Sequence, residues 1–255
     1  QEDDLRTEGL RIFTTLSPSE QEKAQWAVSR GLDQLAASGL SPTLQGALVM
    51  ADTGSGEVRA LVGDRDADRR CFNRAIHARR EVGSVIKPLV DLLALEHVDD
   101  YNLLTRIEDE PVTLRQPDGS QWSPANYDNR SHGQVTLLEA LSKSYNQATV
   151  RLGMNIGVNH LVSRLSQLGV AADVPAVPSV FLGAVELTPL EVTQVYQSVA
   201  AGGYSVPLRS VIAVQTADGD ELVRYPLRLL PQPHREAISV LNYALTRVVE
   251  DGTAR

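Results

Sequence analysis

Short apolar runs, separated by turn residues, predict several strands along the chain. Residues 10–16 form an apolar and β-branched run that is typical of a strand. Residues 46–52 and 57–63 are two further runs, and the Thr-Gly-Ser-Gly segment between them predicts a hairpin turn. Residues 209–216 and 221–225 repeat this arrangement around Ala-Asp-Gly-Asp. The pattern therefore predicts one separate strand and two hairpins.

Helical periodicity and helix-start signals occupy most of the remaining chain. The Ser-Pro-Ser-Glu segment at 17–20 combines an N-cap, a proline at the first helical position and a capping box, for a helix that runs to about residue 31 or 38. Thr-Pro-Leu-Glu at 188–191 is a second capping box, and glycines 202–203 end its helix. Further helices are predicted at residues 83–96, 136–142, 147–154, 159–168 and 234–250. Helices combined with antiparallel hairpins indicate a mixed α/β fold of the α+β kind.

The helix predicted at residues 83–96 is apolar on nearly every face. Its apolar positions are Val85, Ile86, Leu89, Val90, Leu92, Leu93 and Leu95. A helix that is apolar all round is a buried helix. Pro88 falls in its first turn, where the missing N–H costs little. By contrast, residues 112–128 are rich in turn residues and predict a loop.

Composition narrows the class of protein. The 255 residues are 42% hydrophobic and 22% charged, which is ordinary for a globular protein and excludes global disorder. A net charge of −8 argues against a nucleic-acid partner. Residues 1–11 are polar and acidic, and no apolar run is long enough to span a membrane. We therefore expect any export signal or membrane anchor to lie outside this sequence.

Ser84 and Lys87 form a Ser-x-x-Lys motif at the start of the apolar helix. Spacing of i, i+3 places the hydroxyl and the amine on one helix face. A serine hydroxyl is a weak nucleophile until a base takes its proton, and a lysine becomes such a base when burial lowers its pKa. The helix N-terminus adds N–H groups and positive potential that favour an oxyanion. The alternative is that Ser84 is an N-cap and Lys87 a surface residue that covers apolar neighbours.

Ser144 and Asn146 form a second candidate element, between two predicted helices. A second hydroxyl beside a Ser–Lys pair can relay a proton to a leaving amine, and an amide can hold a peptide carbonyl or stabilise the lysine. Alone, Ser-x-Asn is typical of a turn or cap. Its combination with Ser-x-x-Lys favours a serine acyl-transfer site.

Other chemistries have little support in the sequence. The five histidines show no metal-ligand spacing, so we interpret them as structural or surface residues. Cys71 is a lone thiol that excludes an internal disulfide and a cysteine-rich metal site. Phosphate-binding loops and a Gly-x-Ser-x-Gly elbow are missing from the sequence. We expect neither a cofactor nor a metal.

These motifs together resemble one family. In chain order they are Glu-Gly-Leu-Arg-Ile-Phe-Thr-Thr-Leu at 8–16, Asp-Thr-Gly-Ser-Gly-Glu-Val-Arg-Ala-Leu-Val-Gly at 52–63, Asn-Arg-Ala at 73–75, Gly-Ser-Val-Ile-Lys-Pro at 83–88, Trp-Ser-Pro-Ala-Asn-Tyr-Asp at 122–128, Ser-Tyr-Asn at 144–146 and Leu-Gly-Ala-Val-Glu-Leu-Thr-Pro at 182–189. The chain resembles, over nearly its whole length, the transpeptidase domain of bifunctional class A penicillin-binding proteins, most closely the 1b type. The resemblance implies their fold, in which helices flank an antiparallel sheet, shared with serine β-lactamases.

The resemblance also implies roles for individual residues. Ser84 would attack a D-Ala-D-Ala stem peptide, with Lys87 as the base and Ser144 as the proton relay. Asn146, Trp122 and Asn126 would bind substrate. β-Lactams resemble the D-Ala-D-Ala end and would acylate the same serine. The partners would thus be peptidoglycan stem peptides and β-lactams.

One family motif is missing from the sequence. No Lys-Thr/Ser-Gly triplet is present, although the family uses it to hold the substrate carboxylate and to complete the oxyanion hole. We therefore expect residues 1–42 to be the linker after a glycosyltransferase domain, and residues 43–255 to be the N-terminal part of the transpeptidase domain, without its C-terminal strands. Such a fragment alone would react poorly with penicillin.

The resemblance places the whole protein at the periplasmic face of the bacterial inner membrane, with its anchor outside this chain. An outer-membrane lipoprotein would be an activator. Two alternatives stay open: a serine β-lactamase, which shares both motifs but hydrolyses its acyl-enzyme, and a penicillin-binding sensor that is acylated without turnover. The linker-like residues 10–16 favour the synthase.

Overall fold

The computed structural model describes residues 9–66, 72–115 and 119–255. Cys71 lies outside the described residues. The helices in this part of the chain are α1 (Pro18–Ala37), α2 (Arg74–His77), α3 (Lys87–Leu95), α4 (Leu137–Lys143), α5 (Asn146–Ile156), α6 (Val158–Gln167), α7 (Pro189–Ala200) and α8 (Arg235–Glu250), with 3₁₀ turns at Gly83–Ile86 and Pro178–Leu182. The strands are β1 (Arg11–Thr14), β2 (Leu48–Ala51), β3 (Val58–Val62), β4 (Arg80–Glu81), β5 (Arg106–Asp109), β6 (Leu114–Arg115), β7 (Gln121–Trp122), β8 (Gly133–Thr136), β9 (Glu186–Leu187), β10 (Tyr204–Ser205), β11 (Val211–Gln215), β12 (Glu221–Arg224) and β13 (Leu230–Pro231).

The first of two units comprises the described parts of residues 1–79 and 188–231. Strand β11 pairs antiparallel with β1 on one side and with β12 on the other, and β2 pairs antiparallel with β3. Helix α1 packs on β3 through a small core of Ala24, Ala60 and Val62. Gln21 adds polar contacts, since its side-chain amide hydrogen-bonds both the N–H and the carbonyl of Leu61. This unit contains both predicted hairpins and the predicted separate strand.

The second unit comprises residues 80–187 and 232–255, again in their described parts. Helix α3 is its centre: all 9 of its residues are buried, and it packs against α5 and α8. Strands β5 and β8 form an antiparallel pair in which Ile107 lies opposite Val135. A bidentate ion pair links Arg164 on α6 to Glu96, with N–O distances of 2.7 and 2.8 Å. This unit carries every predicted site residue.

The structure confirms most predicted helices and corrects two local predictions. Residues 83–96 are not one α-helix, because the first turn is a tighter 3₁₀ turn and the α-helix begins only at Lys87. This turn directs Val85 outward, where it is 47% exposed, so the segment is not buried on all faces. At the start of α1, Ser17 makes no side-chain cap, whereas Pro18 does occupy the first turn. The capping box predicted at Thr188 and Glu191 is present.

The predicted loop at residues 112–128 contains a short antiparallel pair formed by β6 and β7. Within the described ranges, no helix combines the length and the apolar character needed to cross a membrane.

Candidate active site

Lys87 is the first residue of α3 and is only 1% exposed. Ser84 lies in the preceding 3₁₀ turn and is exposed, and its carbonyl accepts the backbone N–H of Lys87. Deep burial of an amine is rare unless it is paired or functional. The alternative interpretation of Lys87 as a surface residue is therefore wrong.

The Lys87 ammonium is held by the Ser-Tyr-Asn segment. Its Nζ donates to the Ser144 carbonyl at 2.7 Å, to Ser144 Oγ at 2.9 Å and to Asn146 Oδ1 at 2.6 Å. An ammonium group has three N–H donors, so all three are matched by acceptors. The structure thus brings three of the predicted site residues into direct contact.

Ser144 has a backbone conformation that serves this contact. It ends α4 in the left-handed region, with φ 58° and ψ 44°. Residues other than glycine adopt this conformation at a cost of about 1–3 kcal/mol, and such strain clusters at functional sites. Here the turn allows both the carbonyl and the hydroxyl of one residue to reach Lys87.

Burial sets the electrostatics of Lys87. It lowers the pKa of Lys87 to about 8, and the negative charges of Asp91 and Asp109 oppose part of this decrease. Burial likewise raises the pKa of Asp91 to about 8, and the positive charge of Lys87 opposes part of this increase. A lysine with a pKa near 8 supplies a useful fraction of neutral amine near physiological pH.

Ser84 opens into a cavity of about 610 Å³ within the second unit. The cavity is lined by Ser84, Asn126, Tyr127, Asp128, Lys143, Ser144, Tyr145, Asn146 and Thr253. An exposed hydroxyl at the wall of a cavity, one turn before a buried lysine, is accessible to a ligand while its base is shielded from water.

Two glycines allow the turn that carries Ser84. Gly83 has φ +56°, and Gly183 has φ +85°. Their backbones touch, because the Gly83 N–H donates to the Gly183 carbonyl at 3.2 Å. A Cβ on Gly183 would lie 2.0 Å from the Gly83 carbonyl oxygen. The Gly-Ser and Leu-Gly-Ala segments of the sequence are therefore two sides of one close backbone contact.

The other two predicted substrate-binding residues differ in position. Trp122 lies in β7, opposite Leu114, and does not line this cavity. Asn126 does line it but is only 3% exposed. Its Oδ1 accepts the N–H groups of Asn146 and Gln147, and its Nδ2 donates to Asp109 and to the Arg130 carbonyl. Both ends of the Asn126 amide are therefore hydrogen-bonded within the protein, and its role in substrate binding stays a prediction.

A second group of polar residues, which the sequence did not predict, adjoins Asn126. Asp109 is fully buried and accepts the Nδ1 of His132 at 2.7 Å. The His132 ring stacks on Tyr145, with ring centroids 4.0 Å apart. The hydrogen bond with Asp109 raises the pKa of His132. Spacing gave no signal for this set, because residues 109, 132 and 145 meet only in the folded chain. Among the described residues, no group of three or more histidine, cysteine or acidic residues is arranged to hold a metal ion.

An exposed serine one turn before a buried lysine, with a second serine and an asparagine on that lysine, is typical of serine acyl-transfer enzymes. Comparison with known proteins gives the same class. Residues 46–255 match the family model described as the penicillin binding protein transpeptidase domain. The chain belongs to this family.

Curated relatives include Penicillin-binding protein 1B of Vibrio cholerae, 40% identical over 248 residues, which cover 97% of this chain and 32% of the relative. Penicillin-binding protein 1B of Escherichia coli K12 is 39% identical over 251 residues, which cover 97% of this chain and 30% of the relative. The chain thus spans about a third of the length of the curated relatives it matches, and the predicted family resemblance is confirmed.

Solved structures confirm the predicted fold. Penicillin-Binding Protein 1A from Haemophilus influenzae matches with a TM-score of 0.84 at 19% identity, covering 100% of this chain and 57% of that one. The PonA1 protein from Mycobacterium tuberculosis, in complex with penicillin V, matches with a TM-score of 0.81 at 25% identity, covering 98% of this chain and 66% of that one.

Proposed function

We propose that this chain carries the serine acyl-transfer site of a peptidoglycan D,D-transpeptidase. The observation that carries the proposal is the buried Lys87, whose ammonium contacts Ser144 and Asn146 while Ser84 stands at the cavity one turn earlier. Membership of the family and the 1B-type relatives support the same substrate class, stem peptides that end in D-Ala-D-Ala.

Acylation begins when Lys87 loses a proton to solvent and becomes neutral. The amine then takes the proton of the Ser84 hydroxyl, and the Ser84 oxygen attacks the carbonyl carbon of the penultimate D-Ala. An ester bond forms, and the C–N bond to the terminal D-Ala breaks. The leaving amine receives a proton from the Lys87 ammonium through the Ser144 hydroxyl, which lies 2.9 Å from Nζ.

Deacylation uses the same groups in the reverse direction. The amine of a neighbouring stem peptide attacks the ester carbonyl and gives up a proton through Ser144 to neutral Lys87. An amide cross-link forms, the ester bond to Ser84 breaks, and the Ser84 oxygen takes its proton from the Lys87 ammonium. Asn146 accepts from Lys87 through Oδ1 and donates to the Ala125 carbonyl through Nδ2, so one N–H is left for the donor peptide.

A β-lactam would follow the first half of this sequence. Attack by Ser84 opens the lactam ring, which leaves an ester on the serine and an amine tethered to it. The full-length protein would act at the periplasmic face of the inner membrane. A membrane anchor and an outer-membrane lipoprotein activator belong to this proposal, because they follow from the 1B-type resemblance.

Two assays on the full-length product of the gene test the proposal. Incubation with a fluorescent penicillin is expected to label the protein, and Ser84→Ala is expected to abolish the label. Incubation with labelled lipid-linked peptidoglycan precursor is expected to give cross-linked product. Labelling without any cross-linked product would contradict a transpeptidase, and rapid release of hydrolysed penicillin would indicate a β-lactamase.

A further inference from the structure

Helix α5, which begins two residues after Ser144, is capped by side chains from distant parts of the chain. The backbone N–H groups of Asn146 and Gln147 donate to Asn126 Oδ1 at 2.7 and 3.3 Å. The N–H of Ala148 donates to Asp109 Oδ1 at 3.1 Å. The helix's own N-cap position, Tyr145, makes no side-chain cap. Three of the four N–H groups that a helix start leaves unpaired are therefore satisfied by two residues from elsewhere in the chain.

The polar side chains at the helix start are engaged by the lysine. Ser144 Oγ and Asn146 Oδ1, which belong to the residues on either side of the N-cap residue Tyr145, both accept from Lys87. A side chain that holds the ammonium is not available as a conventional cap. The outside cap thus compensates for a helix start whose own polar groups serve the site.

The two capping residues are fixed to each other and to a histidine. Asn126 Nδ2 donates to Asp109 Oδ2 at 2.6 Å. The same oxygen accepts the backbone N–H of His132 at 3.1 Å and lies 2.7 Å from His132 Nδ1. Asp109 has no exposed surface and Asn126 is only 3% exposed, so water does not compete for these bonds.

We infer that Asp109 and Asn126 are positioning residues for acyl transfer. By capping α5 from outside, they hold the Ser144–Asn146 segment against Lys87, with the proton relay at the correct distance. This inference rests on the proposed function. Neither residue touches the reacting atoms in this account, because the atoms of both side chains are bound to the protein.

The expected effect on rate is large because proton relays depend on geometry. A displacement of about 1 Å in a catalytic group can cost on the order of 100-fold in rate. Asn126→Ala removes the acceptor of two N–H groups and leaves α5 free to shift. We expect acylation of the full-length gene product by a fluorescent penicillin to slow by about 10- to 100-fold at saturating penicillin.

Thr188→Ala is the matched control. It removes the N-cap of α7, which lies in the first unit, and so deletes the same kind of bond at another helix. We expect both variants to lower the melting temperature, but only Asn126→Ala to slow acylation. Equal acylation rates in the two variants would overturn the inference.

The pH profile separates positioning from mere folding. Two carboxyl groups raise the pKa of Lys87: Asp91 on the same helix and Asp109 on β5. Asp109 contacts His132 Nδ1, and the other ring nitrogen of His132 lies 3.1 Å from Asp128. Asp109→Asn removes one negative charge that favours the ammonium form. We expect slower acylation together with a lower pH midpoint of the acylation rate. An unchanged midpoint and rate would contradict a link between Asp109 and the site.

Two variants of His132 test the inference even if Asn126→Ala and Asp109→Asn fail to fold. His132→Ala removes the side-chain donor to Asp109, whereas His132→Asn keeps an N–H near the position of Nδ1. Both lose the stacking on Tyr145, so only the hydrogen bond differs. We expect acylation to fall about 3- to 10-fold in His132→Ala and to recover to within about twofold in His132→Asn.

These experiments distinguish a failure of the proposed function from a failure of the inference about Asp109 and Asn126. No acylation of the unmodified protein would overturn both the proposed function and the inference. Normal acylation of the unmodified protein, with equal rates in both His132 variants, would overturn the inference alone.

Discussion

The backbone N–H groups at the starts of helices α5 and α7 are capped in different ways. At α7, Thr188 accepts the Glu191 N–H at 3.2 Å, and the Glu191 carboxylate accepts the Thr188 N–H at 2.8 Å. Everything that this cap needs lies within four consecutive residues. At α5 the acceptors come from residues that lie 20 and 39 positions earlier in the chain.

The difference shows what a functional site takes from local structure. Helix α7 is capped by its own threonine and glutamate, and Glu191 also accepts a hydrogen bond from the distant Arg79 at 2.8 Å. At α5 the side chains of Ser144 and Asn146 bind Lys87. The backbone N–H groups at the start of this helix are hydrogen-bonded to Asn126 and Asp109. At α5 the lack of a local cap coincides with a serine and an asparagine that bind Lys87, whereas α1 lacks a side-chain cap without any such contact to the lysine.

The largest expected effect is on acylation, when the lysine at the α5 site is removed. Lys87→Met keeps the length of the buried side chain but removes the amine. We expect penicillin acylation to fall by at least about 1,000-fold, because the serine loses its base. The melting temperature is expected to fall, because the buried carboxyl groups of Asp91 and Asp109 lose the neighbouring positive charge. The acceptors of Ser144 and Asn146 also lose their hydrogen-bond donor. A fluorescent-penicillin time course with a thermal melt measures both, and substantial residual acylation would show that another group is the base.

The two serines at the end of α4 allow a matched test of the relay. Ser144 contacts Lys87, whereas the hydroxyl of Ser142 is buried and has no hydrogen-bond partner among the described residues. We expect Ser144→Ala to reduce acylation by about 100-fold and Ser142→Ala to leave it unchanged. Equal rates for both alanine variants, measured under single-turnover conditions, would remove Ser144 from the mechanism.

The pH dependence sharpens the role of burial. The pKa of Lys87 is about 8, so about a tenth of the molecules carry the neutral amine at pH 7. We expect the acylation rate to rise about five- to tenfold between about pH 7 and about pH 9, with a midpoint near 8. Stopped-flow acylation across this range measures the profile, and a flat profile would contradict lysine as the base.

The lowered pKa of Lys87 also makes the free energy of unfolding depend on pH. Burial holds the pKa of Lys87 below its value in the unfolded chain, which is about 10.4. Between about pH 8 and about pH 10 the unfolded chain therefore binds more protons at this residue, so its contribution to the free energy of unfolding increases with pH. Denaturant titrations of the unmodified protein and Lys87→Met at both pH values should show this increase only in the unmodified protein.

The smallest expected effect is at the local cap. Thr188→Ala should reduce the free energy of unfolding by about 1 kcal/mol, since it removes one N-cap bond. Acylation at Ser84 should be unchanged, because the Thr188 side chain bonds Glu191 within the start of α7, and neither residue is in the described lining of the cavity. A large loss of acylation in this variant would show that the two helix starts are not independent.

The sequence made some of these features predictable. The motif spacing places Ser84 one turn before Lys87, and the residues of the Ser-x-Asn motif contact the lysine. The capping box at Thr188 was readable because all its parts are neighbours in the chain. Hydrophobic pattern alone could not show that the Ser84 turn is a 3₁₀ turn, which leaves Val85 exposed.

The rest of the site depends on contacts between distant residues. Asp109 is the last residue of a short strand, and His132 stood apart from every other histidine, so neither gave a local signal. Asn126 lines the same cavity as Ser84, and its amide is hydrogen-bonded to the protein. Trp122, chosen from the same segment, lies in β7 away from the cavity lining. The roles predicted for individual site residues stay predictions.

Mass spectrometry of the acylated peptide tests most directly whether Ser84 is the nucleophile and whether Asn126 positions the site. The full-length gene product is treated with penicillin and digested, and the modified residue is located by fragmentation. We expect one penicillin ester on Ser84 in the unmodified protein and far slower formation of that ester in Asn126→Ala. A stable adduct on any other residue, with Ser84 unmodified, would contradict it.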